Sequence, residues 1–564
     1  MKNQSQYRIP IVVPPATAGG TDPFQAESLT SRQSFGVASV TWAGAGRIVV
    51  TVLAIVLTAV LALAALATPA TRPAQEVPLA QFSAARAMDH LKIIARKPHP
   101  SGSAEAAEVR NYLLSHLSAL GLETEVQQTK VVTNIVARMT GSGSGKAVLL
   151  VGHYDTVPPS PGAGDDGLAV AAMLETLRAL KASTPPRSDV IALFTDGEEL
   201  GLLGARAFVY DHPWSKDVGL VLNFDARGNR GPVLMFETSE RNESLIDEMA
   251  ESGPPPFANS MMRDVYKLLP NDTDFTVFRN AGYAGLNFAP INGFSFYHNS
   301  ADSLENVSDR TLQQMGSYML ALARHFANLD APPTANADAV YFNVLGTALV
   351  RYPQNWVMPL TAVIALLFAA IVGLGWWKKT LSPTGVAGGF LSLLLSLIAV
   401  ATLTAIGSWL AYSVDGGVIA PGDTPQSNLY VVGLVVLAVA ATAGVYAGFG
   451  WVRAEDLVAG ALAWWLLSLV FTSVFIPGGS YLFTWPLLIA LVAFAIWIGP
   501  WKTRSAGSAV VLLACIIPGI ILFVPLVYLL LAALTVKVTP LLFLPVALML
   551  GLILPHLSLR TFQR

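Results

Sequence analysis

The chain has 564 residues, of which 53% are hydrophobic and only 13% are charged. Soluble domains carry about 25% charged residues, so this composition excludes both a wholly soluble protein and a wholly disordered one. The formal net charge of −2 gives no electrostatic reason to expect nucleic acid binding, and the single cysteine, Cys515, excludes an internal disulfide framework and a cysteine-rich zinc site.

The chain begins with a polar segment that is followed by an apolar run. Residues 1–45 are rich in Pro, Ser, Thr and Gly without helical periodicity, which predicts a disordered tail. The segment 46–68 contains a continuous apolar run that is long enough to cross about 30 Å of hydrocarbon, so it predicts a transmembrane helix. A cleaved signal peptide is the alternative, but its apolar core would be about 7–15 residues long and would start earlier.

Residues 70–350 contain no spanning segment and have the composition of a soluble domain. Helical periodicity alternates there with short apolar runs bounded by glycine and polar residues. The predicted elements are helices at 103–120 and 167–180 and buried strands at 147–151, 190–194 and 220–224. Strands that alternate with helices predict an α/β domain, in which helices cover both faces of a parallel or mixed sheet.

Polar side chains follow each predicted strand at its carboxyl end. They are His153 and Asp155 after the first strand, Glu198 and Glu199 after the second and Asp225 after the third, with Asp165 and Asp166 before a helix and His298 further along. Taken one at a time, such residues are more often helix caps or surface residues. Because ligands in such folds bind at the carboxyl ends of the strands, we expect one site that unites them.

These residue types suggest a metal site. Zn²⁺ accepts imidazole and carboxylate ligands, and two ions about 3.5–4 Å apart need a bridging carboxylate. Hydrolysis needs a further carboxylate that takes a proton from the attacking water. Two histidines and several carboxylates meet these needs. The sequence has no His-Glu-x-x-His motif, which excludes the single-zinc design carried on one helix.

From 356 to 558 the chain is apolar almost throughout, which predicts an all-α region of seven membrane-spanning helices. The predicted spans are 356–376, 385–412, 429–451, 457–475, 481–499, 507–534 and 539–557. Pro518 and Pro525 leave open a kink or a re-entrant turn in the span 507–534. A transporter with an attached hydrolase is disfavoured, because the spans hold almost no ionisable residues.

Basic residues lie in alternate loops between these spans, and the intervening loops hold almost none. They are Lys378, Lys379, Arg453, Lys502, Arg504, Arg560 and Arg564. The positive-inside rule therefore predicts that both termini, including the tail at 1–45, are cytoplasmic. The domain at 70–350 then lies on the opposite, extracytoplasmic face.

Four segments of the domain resemble the family-28 zinc metallopeptidases. They are His153-Tyr-Asp155-Thr, Pro161-Gly-Ala-Gly-Asp165-Asp166-Gly, Asp196-Gly-Glu198-Glu199-Leu-Gly-Leu-Leu-Gly-Ala-Arg and Asn223-Phe-Asp225. Two later segments, Asn271-Asp-Thr-Asp-Phe and Tyr297-His298-Asn-Ser-Ala-Asp302, are similar to the membrane-anchored branch of that family. That branch contains the vacuolar membrane protease and the endoplasmic reticulum metallopeptidase. The resemblance in sequence covers about residues 85–330. The rest of the chain is similar only in its layout of one N-terminal span, a peptidase domain and a multi-span C-terminal region.

The resemblance implies the mixed sheet of the zinc aminopeptidases, flanked by helices as in the phosphorylase/hydrolase-like folds, and two Zn²⁺ ions per chain. The implied metal ligands are His153 and Asp225 for one ion, Glu199 and His298 for the other, and Asp165 as the bridge between them. The other implied roles are Glu198 as general base, Asp155 as the residue that orients His153, and Tyr297 as a donor that stabilises the tetrahedral intermediate. The family also has a cis peptide after the bridging residue, here Asp165–Asp166.

The predicted function is a membrane-bound zinc metallopeptidase of the aminopeptidase type, acting on peptides or proteins at a lipid bilayer and without a nucleic acid partner. Two alternatives stay open, a glutaminyl cyclase-like enzyme with one zinc ion and a catalytically inactive binding ectodomain. Retention of both His153 and His298 favours the two-metal peptidase. The absence of cysteines from the domain favours a bacterial plasma membrane over a vacuolar or endoplasmic reticulum membrane. Cleavage preference, exopeptidase or endopeptidase action and oligomeric state stay open.

Overall fold

The computed structural model describes residues 42–253, 256–416, 419–499 and 506–557. The tail predicted at 1–45 lies outside this part of the chain, apart from its last four residues. These residues belong to helix α1 (Trp42–Ala64), which corresponds to the predicted span 46–68 and begins four residues earlier than expected. The membrane-spanning role of α1 stays a prediction.

The described residues that follow α1 form an eight-stranded mixed sheet. Its strands are β1 (Glu123–Gln128), β2 (Thr133–Met139), β3 (Ala147–His153), β4 (Val190–Thr195), β5 (Val218–Phe224), β6 (Arg230–Thr238), β7 (Phe257–Ala258) and β8 (Gly285–Asn292). They lie side by side in the order β1-β2-β4-β3-β5-β8-β6-β7. The central strands β4, β3, β5 and β8 run parallel, whereas β2 and β6 pair antiparallel to β4 and β8. The fold class predicted from the sequence is confirmed.

The three predicted strands are the core of this sheet. They are β3, β4 and β5, and all residues of β3 and β4 are buried. Successive residues of a strand point to opposite faces. In β3, Val148 and Leu150 therefore pack into one apolar core, and Leu149 and Val151 pack into the core on the other face.

Helices cover both faces of the sheet. They are α2 (Ala84–Ile94), α3 (Ala104–Ala119), α4 (Gly167–Lys181), α5 (Leu203–Asp211), α6 (Glu243–Glu251), α7 (Ser260–Tyr266), α8 (Asp274–Asn280) and α9 (Asp309–Ala327). Helices α2, α3, α4 and α9 pack on one face, and α5 and α8 on the other. The predicted helix at 103–120 is α3, whose first turn is capped because the Ser103 hydroxyl accepts the Ala106 N–H at 3.0 Å. The predicted helix at 167–180 is α4.

A hairpin of β9 (Ala339–Val344) and β10 (Ala348–Pro353) leads into the apolar region. Its helices are α10 (Val357–Trp377), α11 (Pro383–Asp415), α12 (Pro425–Gly448), α13 (Ala454–Phe475), α14 (Tyr481–Ile498), α15 (Ala506–Leu534), α16 (Thr539–Leu542) and α17 (Leu544–Leu557). Within the described residues, seven helical segments are long and apolar enough to cross a membrane, as predicted. Helix α15 continues through Pro518 and Pro525, so its segment is a single helix rather than a re-entrant turn.

The α/β domain contacts the loops of this region that are poor in basic residues. Asp423, in the loop between α11 and α12, accepts the N–H groups of Gly293 and Ser295 at 2.9 and 3.0 Å. Asp264 in α7 accepts the N–H of Gly478, between α13 and α14, at 2.9 Å. Because successive spans alternate in direction, the described basic residues Lys378, Lys379 and Arg453 lie at the opposite ends of the helices. This arrangement supports the predicted extracytoplasmic position of the domain.

Cysteine labelling tests this orientation. In a Cys515→Ser background, we expect an impermeant thiol reagent applied to intact cells to label Glu240→Cys in the domain and Gln426→Cys in α12. It should label Lys378→Cys, after α10, only once the membrane is opened, because that loop is cytoplasmic. All three positions are exposed, so the side of the membrane alone decides access. Labelling of Lys378→Cys in sealed cells would contradict the orientation.

Candidate active site

Three parallel strands bring four of the predicted residues to one edge of the sheet. His153 is the last residue of β3, and Asp225 directly follows β5. Glu198 and Glu199 lie in the turn after β4, which pairs in parallel with β3. The carboxyl ends of parallel strands meet at the same edge, which is where ligands bind in α/β folds.

Asp165, from the loop before α4, lies between two histidines. Its Oδ1 is 3.1 Å from His153 Nε2, and its Oδ2 is 3.1 Å from His298 Nε2. Asp225 Oδ1 lies 3.9 Å from His153 Nε2, and Glu199 Oε1 lies 3.2 Å from His298 Nε2. Each oxygen of Asp165 thus faces a separate group of three side chains, whose candidate ligand atoms lie within 4.8 Å of one another. A carboxylate with an imidazole near each oxygen could contribute to two cation sites.

The two groups suit divalent cations such as zinc. Each offers one imidazole and two carboxylates, which are ligands that Zn²⁺ accepts. Asp165 and Asp225 are only 5% and 6% exposed, and within the described residues the ion-pair partners of these carboxylates are histidines alone. Buried carboxylates without full charge compensation are costly, so bound cations would supply the charge that the site needs. The residues present therefore fit a pair of metal ions.

Burial and mutual interactions shift the pKa values of the charged groups in this site. Burial raises the pKa of Asp225 to about 7 and the pKa of Glu198 well above its usual value. Burial also favours neutral Asp165, but hydrogen bonds with His153 and His298 outweigh this effect and lower its pKa to about 2. Burial disfavours protonated His298, but its hydrogen bonds with Asp165 and Glu199 outweigh this effect and raise the pKa of His298 to about 9. Metal ions and protons therefore compete for the same imidazole nitrogens.

Asp155 connects the first histidine to the turn that carries the predicted base. Its Oδ1 and Oδ2 accept the N–H groups of Glu198 and Glu199 at 3.1 and 3.3 Å. His153 Nδ1 is 3.0 Å from the backbone carbonyl of Asp155 and 3.7 Å from its carboxylate. A proton on Nδ1 would donate to that carbonyl and leave Nε2 to face Asp165, as metal-binding histidines require. Glu198 belongs to neither group of candidate ligands, which leaves it available as a base.

Tyr297 lies beside the second group. Its ring stacks on His298 with 3.7 Å between ring centroids, and it lines the same cavity as Asp165 and Glu198. Burial raises the pKa of Tyr297, so its hydroxyl stays protonated and available as a hydrogen-bond donor. His298 has a φ of +59°, in the left-handed region that residues with side chains rarely adopt. Such strain is typical of functional positions.

Two further carboxylates hold this site together, and the sequence analysis assigned neither of them this role. Asp302 accepts the N–H groups of Gly164 and Asp165 at 2.8 and 3.0 Å, and so fixes the loop of the bridging residue. Asp166 accepts the N–H of His153 at 3.2 Å and does not cap α4 through its side chain. The Asp165–Asp166 peptide is cis, as the resemblance implied. The only sequence signal for Asp302 was its place at the end of the Tyr297 motif.

The fold and the site define a class of protein: an α/β domain with a histidine–carboxylate centre at the carboxyl ends of its strands, attached to a membrane-spanning region. Residues 134–323 match the family described as Peptidase family M28. The predicted resemblance to the family-28 metallopeptidases is therefore confirmed for this part of the chain.

Curated relatives share this domain. Endoplasmic reticulum metallopeptidase 1 of Mus musculus is 31% identical over 261 residues, which are 45% of this chain and 29% of the relative. The vacuolar membrane protease of Candida dubliniensis is 30% identical over 305 residues, which are 50% of this chain and 32% of the relative. This chain thus spans less than a third of the length of these two relatives.

Solved structures with low sequence identity resemble the same part of the chain. The LapA aminopeptidase of Legionella pneumophila has 17% identity and a TM-score of 0.37, with 44% of this chain and 73% of that chain covered. A glutaminyl cyclase of Porphyromonas gingivalis has 19% identity and a TM-score of 0.37, with 43% of this chain and 98% of that chain covered.

Proposed function

We propose that this membrane peptidase is a two-zinc aminopeptidase, in which Glu198 is the general base. The observation that carries this proposal is the position of Asp165, whose two carboxylate oxygens each lie 3.1 Å from the Nε2 atom of a different histidine. A carboxylate placed in this way can bridge two ions, and His153, Asp225, Glu199 and His298 complete the two ligand groups.

The side chains around this centre supply proton transfer and charge stabilisation. Two zinc ions bound here would polarise the scissile carbonyl group as Lewis acids. Glu198 takes a proton from the attacking water while the water oxygen bonds to the carbonyl carbon, and it then gives that proton to the leaving amine nitrogen as the C–N bond breaks. The Tyr297 hydroxyl donates a hydrogen bond to the carbonyl oxygen as negative charge develops there.

Both alternatives from the sequence receive less support. A glutaminyl cyclase-like enzyme with one zinc ion needs only one ligand group, whereas this chain retains His153 with Asp225 and His298 with Glu199. An inactive binding domain has no need of Glu198, which lines the cavity beside Asp165 without joining either ligand group. We therefore favour hydrolysis at a bacterial plasma membrane, with the catalytic domain outside the cytoplasm and peptides or proteins as substrates.

Replacing the base is the most direct test of the reaction. We expect Glu198→Gln to lower kcat by about 10²–10⁴-fold, the usual contribution of a general base, and to leave the zinc content unchanged. Glu123→Gln is the matched control, because Glu123 is exposed on β1 at the far edge of the sheet. Turnover and zinc content are measured on the full chain in lipid nanodiscs. Peptide hydrolysis by Glu198→Gln at the wild-type rate would refute the assignment of the base.

The aminopeptidase assignment is tested on the substrate. Glu198 and Asp272 line the cavity and belong to neither ligand group, so a substrate ammonium group would be favoured there over a neutral group. We expect a peptide with a free amino terminus to be cleaved and its N-acetylated form to resist cleavage. Both peptides are assayed with the same enzyme preparation, and the products are identified by mass. Equal cleavage of the two forms would indicate an endopeptidase.

A further inference from the structure

The cavity beside the candidate metal ligands has both charged and apolar lining residues. Its polar lining includes Asp165, Glu198, Asp225, Arg227, Asn271 and Asp272, and most of the remaining lining is apolar. The α/β domain contributes Phe236, Met262, Val265, Leu269 and Ile291 to the apolar part. A cavity with this lining suits a charged group next to a large apolar side chain.

One wall of this cavity comes from the membrane-spanning region. Leu530, Ala533 and Leu534, all in the last turns of α15, line it together with the residues of the α/β domain. These three residues lie more than two hundred positions beyond the family match, which ends at residue 323. The peptidase domain alone would therefore leave this side of the cavity open.

Specific contacts hold α15 in place against the domain. Asn292, at the end of β8, donates from its side-chain nitrogen to the Tyr528 hydroxyl at 2.7 Å. Tyr528 precedes the three wall residues on the same helix. Leu530 is only 4% exposed, so it is packed rather than loosely placed. Tyr266 also lines the cavity, and its buried hydroxyl has no hydrogen-bond partner in the described part of the chain, so it can pair with a polar group of a bound peptide.

We propose that Leu530, Ala533 and Leu534 of α15 determine the side-chain preference of the peptidase. They form the far wall of a subsite that binds a large apolar side chain of the substrate, next to the bond that is cleaved. This inference rests on the proposed function, because it places the scissile bond at Asp165, Asp225 and Glu198. The substrate class that fits is a peptide with an ammonium terminus on a large apolar residue.

The size of the wall residues gives the inference a measurable consequence. Adding side-chain volume at Ala533 should exclude large substrate side chains and spare small ones. One methylene in an apolar specificity pocket changes discrimination by about 10–200-fold. We therefore expect Ala533→Leu to lower the ratio of kcat/KM for a leucyl substrate to that for an alanyl substrate by at least about tenfold. Leu530→Ala should move the preference in the other direction, from leucyl toward the larger tryptophanyl substrate.

Leu529→Ala is the matched control for Leu530→Ala. Both leucines are buried in the same core, at 0% and 4% exposure, so their removal costs comparable packing. Only Leu530 lines the cavity. The assay uses the full chain in lipid nanodiscs, because detergent can occupy an apolar pocket. The substrates are leucyl, alanyl and tryptophanyl peptides that are otherwise identical.

The outcomes distinguish a failure of the α15 subsite from a failure of the proposed peptidase function. Changed selectivity in Ala533→Leu and Leu530→Ala, with unchanged selectivity in Leu529→Ala, supports the inference. Active variants that keep the wild-type selectivity would overturn it and leave the proposed function intact. Equal changes in Leu529→Ala and Leu530→Ala would also overturn it, because general loosening of α15 would explain them. A wild-type chain that cleaves none of the peptides would overturn the proposed function and this inference with it.

Discussion

The site depends on one carboxylate that is held between two imidazoles from different loops. Asp165 can face both His153 and His298 only if the loop before α4 and the loop after β8 keep a fixed distance. Asp302 provides this constraint, because it follows His298 in the second loop and accepts the Asp165 N–H from the first. The parallel strands β3, β4 and β5 then place the remaining carboxylates around this pair.

The membrane-spanning region is closely joined to this centre. Asp423 accepts the N–H groups of Gly293 and Ser295, which begin the loop that carries Tyr297 and His298. Helix α15 lines the cavity with Leu530, Ala533 and Leu534. The membrane-spanning region, through a loop and through α15, therefore contacts both the loop that carries candidate ligands and the cavity beside them. An anchor alone would need neither contact.

Much of this structure follows from local sequence patterns. The buried strands β3, β4 and β5 are short apolar runs, and the spans are long ones, so periodicity and length predict both. The gathering of His153, Glu198, Glu199 and Asp225 is predictable because strand ends collect at one edge of a sheet, whereas the roles assigned to Asp165 and His298 come from the family resemblance. The hydrogen bonds of Asp302 and the position of α15 beside the cavity were not predictable, because each depends on a contact between distant segments. Asp302 and Asp165 are 137 positions apart, and no local pattern records their hydrogen bonds.

The central claim is that Asp165 bridges two zinc ions, and metal analysis of the full chain tests it most directly. The measurement is zinc per chain, by mass spectrometry of metal content, for the wild type, His298→Ala and Asp165→Ala after dialysis against the same free zinc concentration. Circular dichroism confirms that each variant is folded. We expect two ions in the wild type, one in His298→Ala and none in Asp165→Ala, because only Asp165 belongs to both ligand groups. Two ions retained by a folded Asp165→Ala chain would contradict it.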